Sequence, residues 1–485
     1  MKRREFIKYG LIAASGLLPR QKLLSATEKG QKKIVVVGAG LSGLSCAFEL
    51  KRLGHEVILL EAQNRVGGRV RSIREPFVNG QVADAGATWV LGTHHLTNFY
   101  INLLGVKLRP YGDDNTKVEA FVKNNRFVVT GETTDPWPLD LSVEEKELGF
   151  NGLYMKTFPP SLEKIGDPLD LDWPTPDLDR LDRLSYLDFL QESLSPAAIR
   201  IITLSQDGWW GDFRNLSALA MLRDAKIGMV ATTASTVIGG TDVFPQAFAR
   251  HLTGNIFLNS PVVKISQFRN KYSSDNIEVE FLQDGKPKKV KADYAVCTVP
   301  TGVLNKIEFK PNLSREKQEL VQSNPSLPCT RIYIQTKTKI LERVQKVSTV
   351  ATDLPIMNIC NNTINQDGET GIIHSYSAGE HALDFGKMHA DERHRTAIQY
   401  FEKVYPGISQ EIISVQSVVW KNERWFNGAY TIPRPGQVKK FMQHRGRTEG
   451  RILFASDDSS PWTGWMQGAL HSGLRAAAEI NSSKW

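Results

Sequence analysis

The stretch Ile34-Val35-Val36-Val37-Gly38-Ala39-Gly40-Leu41-Ser42-Gly43 constrains the fold of this chain more than any other. Four consecutive β-branched residues read as a short strand covered on both faces, the pattern of a parallel sheet. The strand runs straight into a GxGxxG turn. Beyond it Leu44, Ala47, Phe48 and Leu53 recur at helical spacing until Gly54 supplies a stop. Val57 to Leu60 is a second apolar strand, and Glu61 stands at its end, 18 residues after Gly43. A lone GxGxxG is weak, because glycine-rich turns are common. Set between a strand and a helix and answered by an acid after the next strand, it is the β-turn-α-β unit that binds a dinucleotide. Gly38 permits the tight turn, Gly40 lets the backbone approach a pyrophosphate, and Gly43 lets helix and strand pack closely. Leu41 and Ser42 open the helix and offer free N–H groups to phosphates. Glu61, followed by Ala62, is placed to accept from a ribose hydroxyl, which favours an adenosine ribose over a 2′-phosphate.

The fingerprint does not choose between NAD and FAD. Asn64-Arg65-Val66-Gly67-Gly68-Arg69 follows at once, and its glycine pair gives a backbone that passes close to a cofactor. Its arginines offer planar donors to phosphate or ring oxygens. From Asp113 to Asp182 prolines interrupt a polar stretch that reads as an inserted, loop-rich region. Helical texture follows from Leu184 to Arg223. Strand-like alternation returns at 262–265, 277–281, 292–299 and 331–336, and again at 451–455 before a closing helix from Met466 to Ile480.

Charge needs a separate reading. Residues 1–33 hold nine Lys or Arg and two Glu, so they carry seven of the formal net charge of +8. The rest of the chain is nearly neutral, and the basic balance is no argument for nucleic acid. Adjacent Arg3 and Arg4 precede an apolar run from Tyr9 to Pro19, an export leader that resembles the bacterial twin-arginine type. The run is shorter than the roughly 20 residues a spanning helix needs, and Leu24-Ser25-Ala26 is an imperfect cleavage site. Cys46, Cys297, Cys329 and Cys360 form no CxxC pair and read as packing residues. No metal site is expected.

Later motifs join the fingerprint: Gly86-Ala87-Thr88-Trp89, Gly239-Gly240-Thr241-Asp242, Ser260-Pro261-Val262, Cys297-Thr298-Val299-Pro300, Asn427-Gly428-Ala429-Tyr430 and Gly464-Trp465-Met466-Gln467-Gly468-Ala469. In this order they resemble the flavin-containing amine oxidases, the family of monoamine and polyamine oxidases. The resemblance implies an α/β fold, with an FAD-binding Rossmann-like domain interleaved with an α+β substrate domain. Residues 1–30 would be leader and linker. Residues 31–90, 235–310 and 425–485 would bind FAD, and 91–234 and 311–424 would bind substrate. The FAD would be non-covalent, since Ala429 stands where covalently flavinylated members carry Cys. Val262 would meet the adenine. Asp457 replaces the usual Glu near the flavin's sugar chain and phosphates, on a shorter arm. Met466 to Ala469 would aim helix N–H groups at the isoalloxazine.

The implied reaction removes a hydride from the carbon beside an amine nitrogen, passes it to flavin N5 and leaves an imine for water to hydrolyse. Tyr430 and Trp465 match the two aromatic positions on the substrate side of the flavin, Trp465 replacing the more usual Tyr. The lysine near N5 corresponds to Lys306 in one spacing and Lys310 in another, with Lys306 preferred. Trp89 occupies a position where many L-amino-acid oxidases carry the arginine that holds the substrate carboxylate, so an amine without a carboxylate is the expected substrate. The alternatives are an L-amino-acid oxidase, a desaturase or porphyrinogen oxidase acting on an apolar substrate, and an amine dehydrogenase that reduces a protein acceptor instead of O2. His94 and His95 read as a solvated loop pair. The expected partners are a small amine, O2 or another electron acceptor, and the twin-arginine export machinery, with a periplasmic destination after cytoplasmic folding.

Overall fold

The computed structural model describes residues 30–483 apart from 114, 135, 171, 228–232, 269–275, 324–325 and 344–345. The leader reading, paired arginines included, lies outside the described residues except for Gly30. The strand Lys33–Val37 is the centre of a five-stranded sheet in the order Ile256–Phe257, Glu56–Leu60, Lys33–Val37, Tyr294–Cys297, Ile452–Phe454. Every pairing is parallel, so segments distant in sequence end at one edge. Alternate residues of the central strand serve two cores, as the pleat dictates. Ile34 and Val36 pack with Leu44, Leu470 and Ile480 of the helices Leu41–Arg52 and Met466–Ser482. Val35 and Val37 pack against Ile265, Val279 and Phe309 of a four-stranded sheet on the other face.

A seven-stranded sheet forms the second half of the molecule, in the order Ile412–Val419, Cys329–Thr336, Gly371–Ala378, Asn358–Asn361, Val347–Thr352, Lys117–Val122, Asn125–Val128. All its pairings are antiparallel except that of Val347–Thr352 with Lys117–Val122. Helices Val143–Lys164, Pro196–Leu204 and Ala218–Ile227 share a core with it through Leu153, Ile201, Leu222 and Ala351.

Three elements differ from the sequence reading. The expected strand 292–299 divides at Asp293: Lys286–Ala292 turns back along Ile277–Gln283, and Tyr294–Cys297 crosses into the parallel sheet. The proline-rich insert holds the helix Val143–Lys164, opened by reciprocal Ser142 and Glu145 bonds and broken at Gly149, where φ is 62°. The helical stretch Leu184 to Arg223 resolves into several short helices. All four cysteines are buried and free. Among the described residues no helix is long and apolar enough to cross a membrane, and no His, Cys, Asp and Glu group is arranged to hold a metal.

Candidate active site

A cavity of about 550 Å³ lies where the carboxyl ends of the parallel strands face the seven-stranded sheet. Val37 and Gly38, Leu60 and Glu61, Thr298, and Ser456 and Asp457 line it from the first side, and Arg331 and Tyr376 from the second. This edge is where ligands of parallel α/β sheets gather.

The glycine turn closes toward the protein and opens toward the cavity. A Cβ at Gly43 would stand 1.9 Å from the Gly38 carbonyl oxygen, whereas nothing lies within 4 Å of a Cβ at Gly40. Gly38 itself adopts φ 104°. The Glu61 carboxylate accepts from the N–H of Ala39 at 2.7 Å and of Gln63 at 2.8 Å, one bond to each oxygen. Burial raises its pKa and these N–H groups pull it back; each oxygen keeps accepting capacity for a ribose hydroxyl.

In the middle of the cavity Arg69 donates to the Ala429 carbonyl at 2.8 Å and is paired with the Asp457 carboxylate. Asp457 also accepts from the Gly464 N–H at 3.0 Å, which ties the Arg69 loop to the start of the last helix. The shorter Asp457 arm thus reaches Arg69. A Cβ at Gly86 would fall 1.7 Å from the Arg69 carbonyl oxygen, so only glycine fits there. Arg331 holds this strip from the antiparallel sheet, donating to the carbonyls of Asp84 at 2.9 Å and Gly86 at 2.8 Å, and Trp420 donates to Ala85 at 2.9 Å. The buried Asp84 carboxylate takes the N–H and hydroxyl of Thr241 and the hydroxyl of Ser72, which fixes the Gly239–Asp242 motif beneath the same strip.

The far end is aromatic. Trp89, Tyr111, Trp209, Trp210, Tyr376, Tyr430 and Trp465 all line it. The Tyr430 hydroxyl donates to the Trp209 carbonyl, and its ring stands edge-on to Trp210 at 6.0 Å. Trp89 stands edge-on to Trp209 at 5.0 Å. Trp465 precedes the helix Met466–Ser482 and rests edge-on against His94 at 4.9 Å. His94 is fully buried, not a solvated loop residue, and burial lowers its pKa to about 4, so its ring is a neutral support. His95 is exposed.

All the cofactor-binding candidates line this one cavity except Gly43, whose place is the helix-strand contact, and Arg65. Arg65 donates to the Gly68 carbonyl at 2.8 Å and shapes the loop. Lys306 lines the cavity with its Nζ 2.6 Å from the Arg424 carbonyl and 5.8 Å from the centre of the Trp425 ring. Lys310 lies outside, in an ion pair with Glu308 at 3.3 Å.

Two charged wall residues escaped the sequence reading. Asp224, on the helix Ala218–Ile227, is 1% exposed and among the described residues neither carboxylate oxygen meets a donor in hydrogen-bond geometry, with the Trp465 indole as its polar neighbour. Burial pushes its pKa up to about 6 against the pull of Arg223. Its signal in the sequence was an Arg-Asp pair within an otherwise apolar helical run. Arg331 carried a similar one, a lone cation inside a strand of apolar and small polar residues.

The family model described as flavin containing amine oxidoreductase matches residues 41–481. A Bacillus subtilis (strain 168) protein named putative L-amino-acid oxidase YobN is 28% identical over 466 residues, 94% of this chain and 96% of that protein. The L-amino-acid oxidase BmooLAAO-I of Bothrops moojeni is 27% identical over 470 residues, 94% of this chain and 91% of that one. Among solved structures, wild-type putrescine oxidase bound to putrescine superposes with a TM-score of 0.79 at 22% identity, covering 94% of this chain and 100% of that one. Cyclohexylamine oxidase from Brevibacterium oxydans IH-35A gives 0.79 at 19% identity, with 93% and 99% covered. The same mixed α/β fold therefore carries this chain and both of these solved structures. With a family model running through nearly the whole described length, this chain belongs to the flavin-containing amine oxidoreductases, FAD-dependent enzymes that oxidise amines.

Proposed function

We propose that this chain oxidises the C–N bond of an amine that carries no required carboxylate. A hydride leaves the carbon beside the nitrogen, and the resulting imine hydrolyses to a carbonyl compound and an amine or ammonia. The observation that carries this reading is the aromatic end of the cavity, with Tyr430 and Trp465 beside the buried Asp224. Bound FAD supplies the hydride acceptor and passes the electrons to O2, giving H2O2. Electron-rich ring faces attract an ammonium by about 0.5–2 kcal/mol, and the bond from Tyr430 to Trp209 and the edge-on contact of His94 with Trp465 fix both rings before substrate arrives. Asp224 adds negative charge on the same wall, a feature of no use to a desaturase or porphyrinogen oxidase substrate. Trp89 fills the position of a carboxylate-binding arginine and extends the aromatic wall instead. Lys306 is assigned to the reoxidation step from its place in the wall.

The FAD is assigned to the Gly38–Ser42 turn and Glu61 at one end, the Arg69–Asp457 pair in the middle, and the Gly86–Trp89 strip and the start of the last helix beside the substrate. The parallel sheet, drawn from three distant segments, supports reading 31–90, 235–310 and 425–485 as a Rossmann-like FAD-binding domain and 91–234 with 311–424 as the substrate domain. The twin-arginine leader makes it a bacterial enzyme of the periplasm, exported after folding.

A second reading is favoured by Arg331, a buried cation in the cavity wall that donates to the carbonyls of Asp84 and Gly86 and to the Thr88 hydroxyl and, among the described residues, to no carboxylate. It offers a partner to a substrate carboxylate, and the relatives named L-amino-acid oxidases point the same way. Anaerobic mixing of the purified yellow protein with amines, L-amino acids and apolar polyenes or porphyrinogens separates the readings. Bleaching by simple amines is expected; bleaching by amino acids alone establishes the second reading, and bleaching by neither overturns both. Slow recolouring in air after amine bleaching identifies a dehydrogenase with another acceptor.

A further inference from the structure

A second, smaller cavity of about 50 Å³ lies apart from the first, between the helix Ala218–Ile227, the helix Gln437–Arg445 and the turn Asp457–Ser459. Arg223, Arg445, Asp458, Ser459 and Ser460 supply its polar lining. Arg223 is 4% and Arg445 6% exposed, yet Nε of Arg223 and both Nε and Nη2 of Arg445 meet no acceptor among the described residues. Nη1 of Arg445 reaches the Asp458 carbonyl at 3.4 Å.

The nearby carboxylates are committed elsewhere. Asp182 accepts from the N–H groups of Val438 and Lys439 and from the Ser217 hydroxyl. Asp458 accepts from the hydroxyls of Thr301, Thr431 and Ser456. Asp457 is held by Arg69 and Gly464. Asp224 follows Arg223 on the helix, where successive residues turn about 100° apart; its charge pulls on Arg223, but it lines the large cavity and makes no hydrogen bond to the guanidinium among the described residues.

We propose that Arg223 and Arg445 form a buried binding site for one small monovalent anion of chloride size. The charges of Asp224 and Asp458 draw on the two guanidinium groups, but neither carboxylate accepts from the N–H groups left without partners, and the anion does. Burial lowers Arg223 to about 10, with the pull of Asp224 opposing it and the nearby Arg445 adding to it, which still leaves it charged at neutral pH. Charged N–H groups left without acceptors are costly inside a protein, and the cavity exceeds the ~10–15 Å³ that one water needs. The anion braces the helix that carries Asp224 against the turn that carries Asp457, so its occupancy stabilises the joint between substrate wall and cofactor strip.

The test uses the FAD-loaded full chain in sodium chloride, bromide or gluconate at matched ionic strength. Chloride and bromide should raise the melting temperature by about 2 °C or more over gluconate, and Arg445→Met should abolish that difference. Crystals soaked in bromide should show a bromine anomalous peak between the two guanidinium groups. The absence of a peak, whatever the melting, overturns the site and leaves it to water. A peak with no change in melting marks an adventitious ion only and overturns the bracing role. Should Arg445→Met fail to fold, the salt series and the bromide crystal on the wild type decide the matter.

Discussion

At Asp224, burial drives the carboxyl from 3.8 up to about 6. On raising the pH, the unfolded chain loses this proton first, so between these values the folded state binds more protons and stability falls. Above pH 6 the cost is complete, at most about 3 kcal/mol for two units. Asp224→Asn should therefore melt higher than the wild type at pH 8, with the gain gone below pH 4, while kcat/KM for the amine drops about tenfold or more. Thermal melts at both pH values with steady-state assays check this; a gain that persists at low pH has another source. Elsewhere in the cavity lining, Lys306→Met should slow reoxidation by O2 about tenfold or more, and Lys310→Met should leave it near wild type, as stopped-flow recolouring would measure. Equal effects would detach the role from the cavity wall. The glycine turn and Glu61 were legible because their work is done by local backbone within one β-turn-α-β unit. Asp224, Arg331 and His94 were not, because only the packing of distant elements buries them.

Among the elements, the contact between the first and last helices carries the site. A Cβ on Gly473 would stand 2.3 Å from the Ser45 hydroxyl and 2.4 Å from the Ser42 carbonyl oxygen. Ser42 also donates to the Ala455 carbonyl at 2.9 Å, so that carbonyl's helix is pinned to the last strand. Gly473→Ala should then force the helices apart, costing about 1–3 kcal/mol, and should lower the flavin-to-protein absorbance ratio of purified enzyme. A melting temperature and flavin content equal to wild type would show that the interface relaxes freely. Parallel strands were readable because burial on both faces writes an unbroken β-branched run, as in Ile34–Val37. The strand Gly371–Ala378 is just as buried, but its His374, Ser375 and Ser377 break the apolar pattern and hide it. The helix Val143–Lys164 was hidden by Pro159 and Pro160, which argue locally for a loop while tertiary packing of Leu153 and Phe158 keeps the helix.

For the whole molecule, the cavity takes its walls from segments as far apart as Gly38 and Ala469, so the cofactor site exists only once the chain has folded. Binding to the folded state alone stabilises by mass action, about 4 kcal/mol at a thousandfold excess over Kd. Apoprotein should accordingly melt several degrees below the FAD-loaded form, and added FAD should restore the difference. The same topology gives the proposed leader its purpose. On that proposal, a cofactor that needs strands from the beginning, middle and end of the chain is loaded before export, and a twin-arginine route carries folded cargo. In an Arg3→Lys, Arg4→Lys double variant, active FAD-loaded enzyme should accumulate in the cytoplasm and disappear from the periplasm, as fractionation with activity staining would show. Undiminished periplasmic activity would mean that the paired arginines do not direct the chain, and that loading with FAD and export are separate events.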